Sequence, residues 1–174
     1  MDKLTNLHNI AFGGSCHWCT EAIFQSLLGV KKVEQGWISS TGENQSFSEG
    51  VIVYFDSDII HVDILIEVHL YTHSCTSNHS FRTRYRSAVY TFSEHQSEKV
   101  VQIIARIQND FDKPIITEVI PFVSFRKNSE IYQNYYFDNP NKQFCKTFIE
   151  PKLKLLMDEF SVHTNQEKLQ HLKK

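Results

Sequence analysis

Apolar positions along the chain recur with two periods, and the switches between them mark out the elements. Residues 8–12 form a short apolar run, and Gly13-Gly14 behind it lets the backbone turn sharply. Ala22, Ile23, Leu27 and Val30 then fall on a helical stripe, with Gly29 where a helix C-cap would sit. Residues 33–39 and 51–56 read as strands, joined by the polar loop SSTGENQSFSEG. Ile60, Ile64, Leu65 and Val68 return to helical spacing and end near His69, while residues 87–92 (SAVYTF) are β-branched and aromatic and predict a strand. Ser93 opens a capping box with Gln96, ahead of an amphipathic helix through Val100, Ile103, Ile104, Ile107 and Phe111. IITEVI reads as another strand. Residues 125–139 are polar and tyrosine-rich and predict a short helix and loops. Pro151 precedes a last helix with Leu153, Leu155, Leu156, Met157 and Phe160, and the polar residues 161–174 are expected to fray. Strands and helices in this alternation predict an α/β (α+β) two-layer sandwich with a loop-rich C-terminal segment.

Composition narrows this picture. A chain of 174 residues is read as a single domain, 1–174, with its core at about 8–160. At this size about 70% of the unfolded surface leaves water on folding, so a core forms without disulfides or metal. Net charge of −2 gives no basic footprint for nucleic acid and no polybasic membrane signal. The opening MDKLTNLHNIAFGG has no apolar run suited to a signal peptide, and no stretch approaches the ~20 apolar residues that cross a bilayer, so the expected compartment is the cytoplasm. With no long exposed apolar stripe, the chain is expected to be a monomer. Four cysteines, at 16, 19, 75 and 145, are too scattered for a disulfide scaffold and point to thiol chemistry, metal binding or nothing.

The chemistry centres on GGSCHWC. Cys16 follows a tight turn and opens a helix, where free N–H groups and the dipole favour a thiolate; a buried structural cysteine would read the same. Cys19 makes a CxxC pair, and His69, His73, Cys75 and His79 crowd one stretch, so a zinc module is an alternative, although these spacings match no known module.

Several segments in collinear order decide between these readings. AFGGSCHWCTEAIFQSLLGV resembles the GCFWC active-site segment of the A-type peptide methionine sulfoxide reductases. FSEGVIVYFD resembles the family's GHAE stretch, RTRYRSAVY its GTQYRSAIY, and FDKPIITEVIPF and YYFDNPNKQFCKTFIEPKL its DKPIVTEI and NPNQGYC…PK stretches. The likeness runs over about residues 10–155. It implies a ferredoxin-like mixed or antiparallel sheet with packed helices. It also implies a thiol-dependent reduction of the S-epimer of methionine sulfoxide, free or in proteins, with no cofactor. By the same resemblance Cys16 is the nucleophile, Glu49 the proton donor and Tyr85 its assistant. Trp18, His17 and Ser80 fall at substrate-binding places. Cys145 is the expected resolving thiol, on a stretch expected to be mobile, with Cys19 as the alternative. Thioredoxin is the expected reductant, and Cys75 a bystander. A sulfoxide needs such a set: attack on sulfur requires the departing oxygen to be protonated, and the methyl group needs an apolar wall such as the Trp18 ring.

The chain departs from the family pattern at Ser15 and His17, where glycine and phenylalanine are usual, and at Ser80, where the family has aspartate. The 36–49 loop is shorter and lacks the second catalytic tyrosine, and His69 keeps the histidine of the family's HDP motif without the residues that follow it. These changes lead us to expect sulfoxide reduction with altered preference or rate; the alternative is a binding protein of the same fold with little turnover.

Overall fold

The alternating apolar strands find each other through their two faces. In a computed structural model describing residues 6–173, β1 (Leu7–Gly13), β2 (Val30–Ser39), β3 (Ser48–Asp56), β4 (Ala88–Thr91), β5 (Glu118–Pro121) and β6 (Ser124–Lys127) form one open six-stranded sheet, ordered β5-β4-β1-β3-β2-β6. The four inner strands are antiparallel, β6 joins β2 antiparallel, and β5 joins β4 parallel. This β4-β1-β3-β2 centre, with a helix after β1 and another after β3, is the expected ferredoxin-like arrangement.

Period-2 alternation then sets the layers. Ile10 and Phe12 of β1, Val51, Val53 and Phe55 of β3, and Val89 of β4 point to one face. There they meet α1 (His17–Gln25), α2 (Val62–Thr72), α3 (Glu94–Ile107) and α5 (Glu150–Glu159) through Phe24, Leu65, Val100 and Leu156. The intervening Ala11, Ile52, Ala88 and Tyr90 cover the opposite face with Ile38, forming a smaller cluster to which, among the described residues, no helix contributes. α4 (Tyr135–Asp138) follows β6.

Several expected boundaries move. α1 stops at Gln25, and Val30 already belongs to β2; Gly29, at φ +91°, makes the turn between them. Residues 124–127, read as part of a polar loop, add an edge strand, because backbone pairing with 36–39 does not need an apolar pattern. The capping box forms with a shift: Ser93 Oγ accepts from Gln96 N at 3.1 Å, but Gln96 Oε1 accepts from Phe92 N at 2.9 Å. The tail up to residue 173 does not fray. Leu169 is fully buried, Leu27 and Thr164 form a β-bridge, and Leu28 N and Asn165 N donate to His163 O and Ser26 O at 2.8 Å each. A single well-placed leucine and backbone pairing hold a segment whose overall composition is polar.

Candidate active site

The site is built where β1 runs out beside the start of β3. Pairing of Phe12 with Val51 puts residue 49 opposite the Gly13-Gly14 turn, and because Val51 faces the helices, Glu49 two residues earlier does too. Gly14 has φ +151°, and a Cβ there would sit 2.5 Å from the His73 ring, so the turn demands glycine. His69 Nε2 lies 2.8 Å from Gly13 O, and His73 bridges His69 O and, at 2.8 Å, Ser87 Oγ. Two of the three histidines of the sequence cluster, His69 and His73, thus fasten the turn. Among the described residues no three His, Cys, Asp or Glu side chains converge as a metal site.

Cys16 is the N-cap of α1 and is half-buried. Its thiol titrates below the ordinary range. The Cys19 S–H donates to it, the N–H groups of Trp18 and Cys19 point at it, and these outweigh burial and the nearby Glu49 charge. Cys19 is driven the opposite way, keeping its proton, first by that hydrogen bond to Cys16 and then by burial. Lys152 works against this rise in Cys19, and its own pKa is lowered by burial.

Glu49 is buried at 1% exposure. His17 N donates to its Oε1 at 3.2 Å, His17 Nε2 lies 3.3 Å from the same oxygen, and Arg84 Nε donates to Oε2 at 2.5 Å. Tyr85, half-buried beside this carboxylate, has its phenol pushed up by burial and by the Glu49 charge. Cys16, Glu49, Tyr85, His17 and Trp18 line one cavity of about 160 Å³, closed by Arg84 and Phe144. Trp18 stacks on Tyr135 at 4.0 Å between centroids and meets Phe144 edge-on at 5.4 Å, and its buried Nε1 has no partner. Cys16, Tyr85 and Phe144 also line an adjoining cavity of about 640 Å³, together with Cys19, Lys152, His73 and Phe148.

Two expected residues lie elsewhere. Ser80 is exposed on the turn before β4 and lines neither cavity, although its neighbours His79 and Phe81 line the larger one. Cys145 is not on an exposed, mobile loop. It is fully buried in a π-helical turn, Cys145–Ile149, its S–H directed at Asn139 O at 3.6 Å. Phe144 against Trp18 and Tyr135, and buried Ile149 and Tyr136, hold that turn. Cys75 is buried too, away from both cavities. Conversely, Arg84, Tyr135, Lys152 and Asn128 join the site without having been singled out. Arg84 carried a signal, as a basic residue where GTQYRSAIY has glutamine, and Lys152 another, as the lysine of the PK near the end of YYFDNPNKQFCKTFIEPKL.

A family model described as "Peptide methionine sulfoxide reductase" matches residues 8–165. The chain belongs to the peptide methionine sulfoxide reductase family. It is 34% identical over 158 residues to a "Peptide methionine sulfoxide reductase MsrA" of Deinococcus radiodurans, covering 82% of this chain and 77% of that protein. A relative of the same name from Trichodesmium erythraeum is 32% identical over 170 residues, or 88% of this chain and 96% of the other. Among solved structures, reduced Mxr1 from Saccharomyces cerevisiae superimposes with a TM-score of 0.73 at 21% identity, covering 84% and 93% of the two chains. The methionine sulfoxide reductase A of Corynebacterium diphtheriae gives 0.69 at 21%, covering 79% and 77%. These solved relatives share this mixed-sheet fold.

Proposed function

We propose that this family member reduces the S-epimer of methionine sulfoxide, free or in proteins, at the smaller cavity. The Cys16 thiolate attacks the sulfoxide sulfur. Glu49, with the Tyr85 hydroxyl beside it, gives a proton to the oxygen as the S–O bond breaks. Oxygen and proton remain on Cys16 as a sulfenic acid, and methionine leaves. Trp18, with Tyr135 behind it, walls the methyl group. Cys19 then attacks Cys16, expelling water and leaving a disulfide. We assign this step to Cys19 over Cys145 because Cys19 lies one helical turn from Cys16 and lines the same cavity, whereas Cys145 is sealed under its aromatic turn. A dithiol of the thioredoxin class closes the cycle, in a reducing compartment such as the cytoplasm, on a monomeric enzyme. A solved complex of yeast Mxr1 with Trx2, which matches this chain with a TM-score of 0.57, is in keeping with that reductant.

The observation that supports the reading most is that a thiolate-favouring Cys16 and Glu49 line one small cavity. The test is release of methionine from a methionine sulfoxide peptide by the reduced protein, with mapping of the new disulfide. One equivalent of methionine and a Cys16–Cys19 bond are expected, both lost in Cys16→Ser. Sulfoxide binding by both proteins with turnover by neither would replace the enzyme with a binding protein.

A further inference from the structure

Two departures from the family motifs, His17 for phenylalanine and Arg84 for glutamine, close on the same carboxylate. Arg84 takes Glu49 Oε2, and His17 meets Oε1 through both its backbone N–H and its ring Nε2. A run of buried amides fixes how that ring is turned. Gln35 Nε2 donates to Glu21 Oε1 at 2.9 Å and to Tyr132 O at 2.6 Å, so Gln35 must present its oxygen to Asn128. Asn128 Nδ2 donates to that oxygen at 2.7 Å, and the same nitrogen lies 3.1 Å from His17 Nε2. At the other end of the ring, Nδ1 lies 2.9 Å from Gly36 O, which can only accept. His17 is therefore the Nδ1–H tautomer, with the Nε2 lone pair aimed between the Asn128 amide and Glu49 Oε1. A lone pair 3.3 Å from a buried carboxylate oxygen is unfavourable unless a proton lies between them.

We propose that the acid of this site is a His17–Glu49 pair that holds one transferable proton on the Nε2–Oε1 contact. His17 is the positioning residue that keeps the proton there against the pull of Arg84. The inference rests on the reductase reading and adds a proton balance to it. The proton that Cys16 sheds on ionising is the one the pair stores. It leaves with the sulfoxide oxygen, and it returns when a dithiol reduces the disulfide and Cys16 ionises again. The charged or titratable groups facing His17 are Glu49 from β3, Arg84 and Tyr85 ahead of β4, and Cys16 on its own helix. Asn128 beyond β6 and the Trp37 ring of β2, edge-on at 5.5 Å, complete its surroundings.

Histidine-selective 15N spectra of the reduced protein test the pairing without turnover. The Nδ1–H tautomer of His17 is expected near neutral pH, with its titration moving to lower pH in Glu49→Gln. An Nε2–H tautomer, or a titration indifferent to that change, overturns the proposal. Single-turnover methionine release then reads the function. His17→Phe, which restores the family's ring, should move the alkaline limb of the rate profile down by about one pH unit, and Arg84→Gln should move it up. A limb that stays put in His17→Phe refutes the pair while leaving the reductase intact. Absence of methionine release from the wild type refutes the reductase, and the 15N spectra still decide the pair.

Discussion

A thiolate and a carboxylate in one small cavity repel each other, and the site answers with donors placed residue by residue. Cys16 receives the Cys19 S–H and two helix N–H groups, and Glu49 receives His17 and Arg84. Replacing Cys19 by alanine should therefore raise the pH midpoint of Cys16 alkylation by iodoacetamide, because it deletes the largest cause of the lowered value. An unmoved midpoint would mean that the helix N–H groups alone carry it. Lys152 acts on the next step. Once Cys16 is a neutral sulfenic acid, the main obstacle to ionising Cys19 is gone, and the lysine favours its thiolate. Lys152→Met should lengthen the life of the sulfenic acid roughly three- to tenfold, measured by dimedone trapping, without slowing methionine release. Cys16, Trp18, Glu49 and Tyr85 were legible in the sequence because their motifs are local. Asn128, Tyr135 and Lys152 were not, because each reaches the site from more than a hundred residues beyond Cys16; Tyr135 and Lys152 lie within YYFDNPNKQFCKTFIEPKL, a stretch that marks the family without marking which of its side chains turn towards the thiols. Tyr135 arrives because buried Glu21 accepts its N–H and that of Asn134 at 3.0 Å each. It places a second tyrosine ring at a site for which the shortened 36–49 loop had left only Tyr85 expected.

Among the elements, those with strong periodicity were readable and those held by a few contacts were not. α3 carries its own signal in Val100, Ile103 and Ile107, with Ser93 as cap. β6 and the last segment have no such pattern; one is defined by pairing with residues 36–39, the other by Leu169 and a bridge to Leu27. The consequence is measurable. Leu169→Ala empties a fully buried position and should cost about 2–5 kcal/mol in denaturant unfolding. A variant as stable as the parent would show that the tail lies on the fold without contributing to it. The π-helical turn at Cys145 was equally hidden, because its order comes from aromatic neighbours that a polar, tyrosine-rich sequence does not announce.

For the molecule as a whole, pH acts through the histidines that fasten the Gly13-Gly14 turn. Burial lowers both His69 and His73, the latter to about 4. The unfolded chain binds these protons near the ordinary histidine value and the folded one does not. Stability is therefore complete above about pH 6.5 and falls on acidification towards 4, by at most about 1.4 kcal/mol per pH unit per histidine. Urea midpoints at pH 7.5 and 5 check this, and equal midpoints would contradict it. Among the described residues no helix is long and apolar enough to cross a membrane, in keeping with the absence of such a run in the sequence. The ferredoxin-like centre was legible through the resemblance and the alternation together, whereas the helix-free second face showed only in the strand register. The sulfur of Cys16 sits, with Tyr85 and Phe144, where two adjoining chambers meet, the smaller one holding the acid and the roomier one its partner thiol. We expect oxidised substrate to enter by the smaller and incoming electrons by the larger. A compound lodged in the roomier chamber should allow a single burst of product, one per molecule of enzyme, and then stall every later cycle.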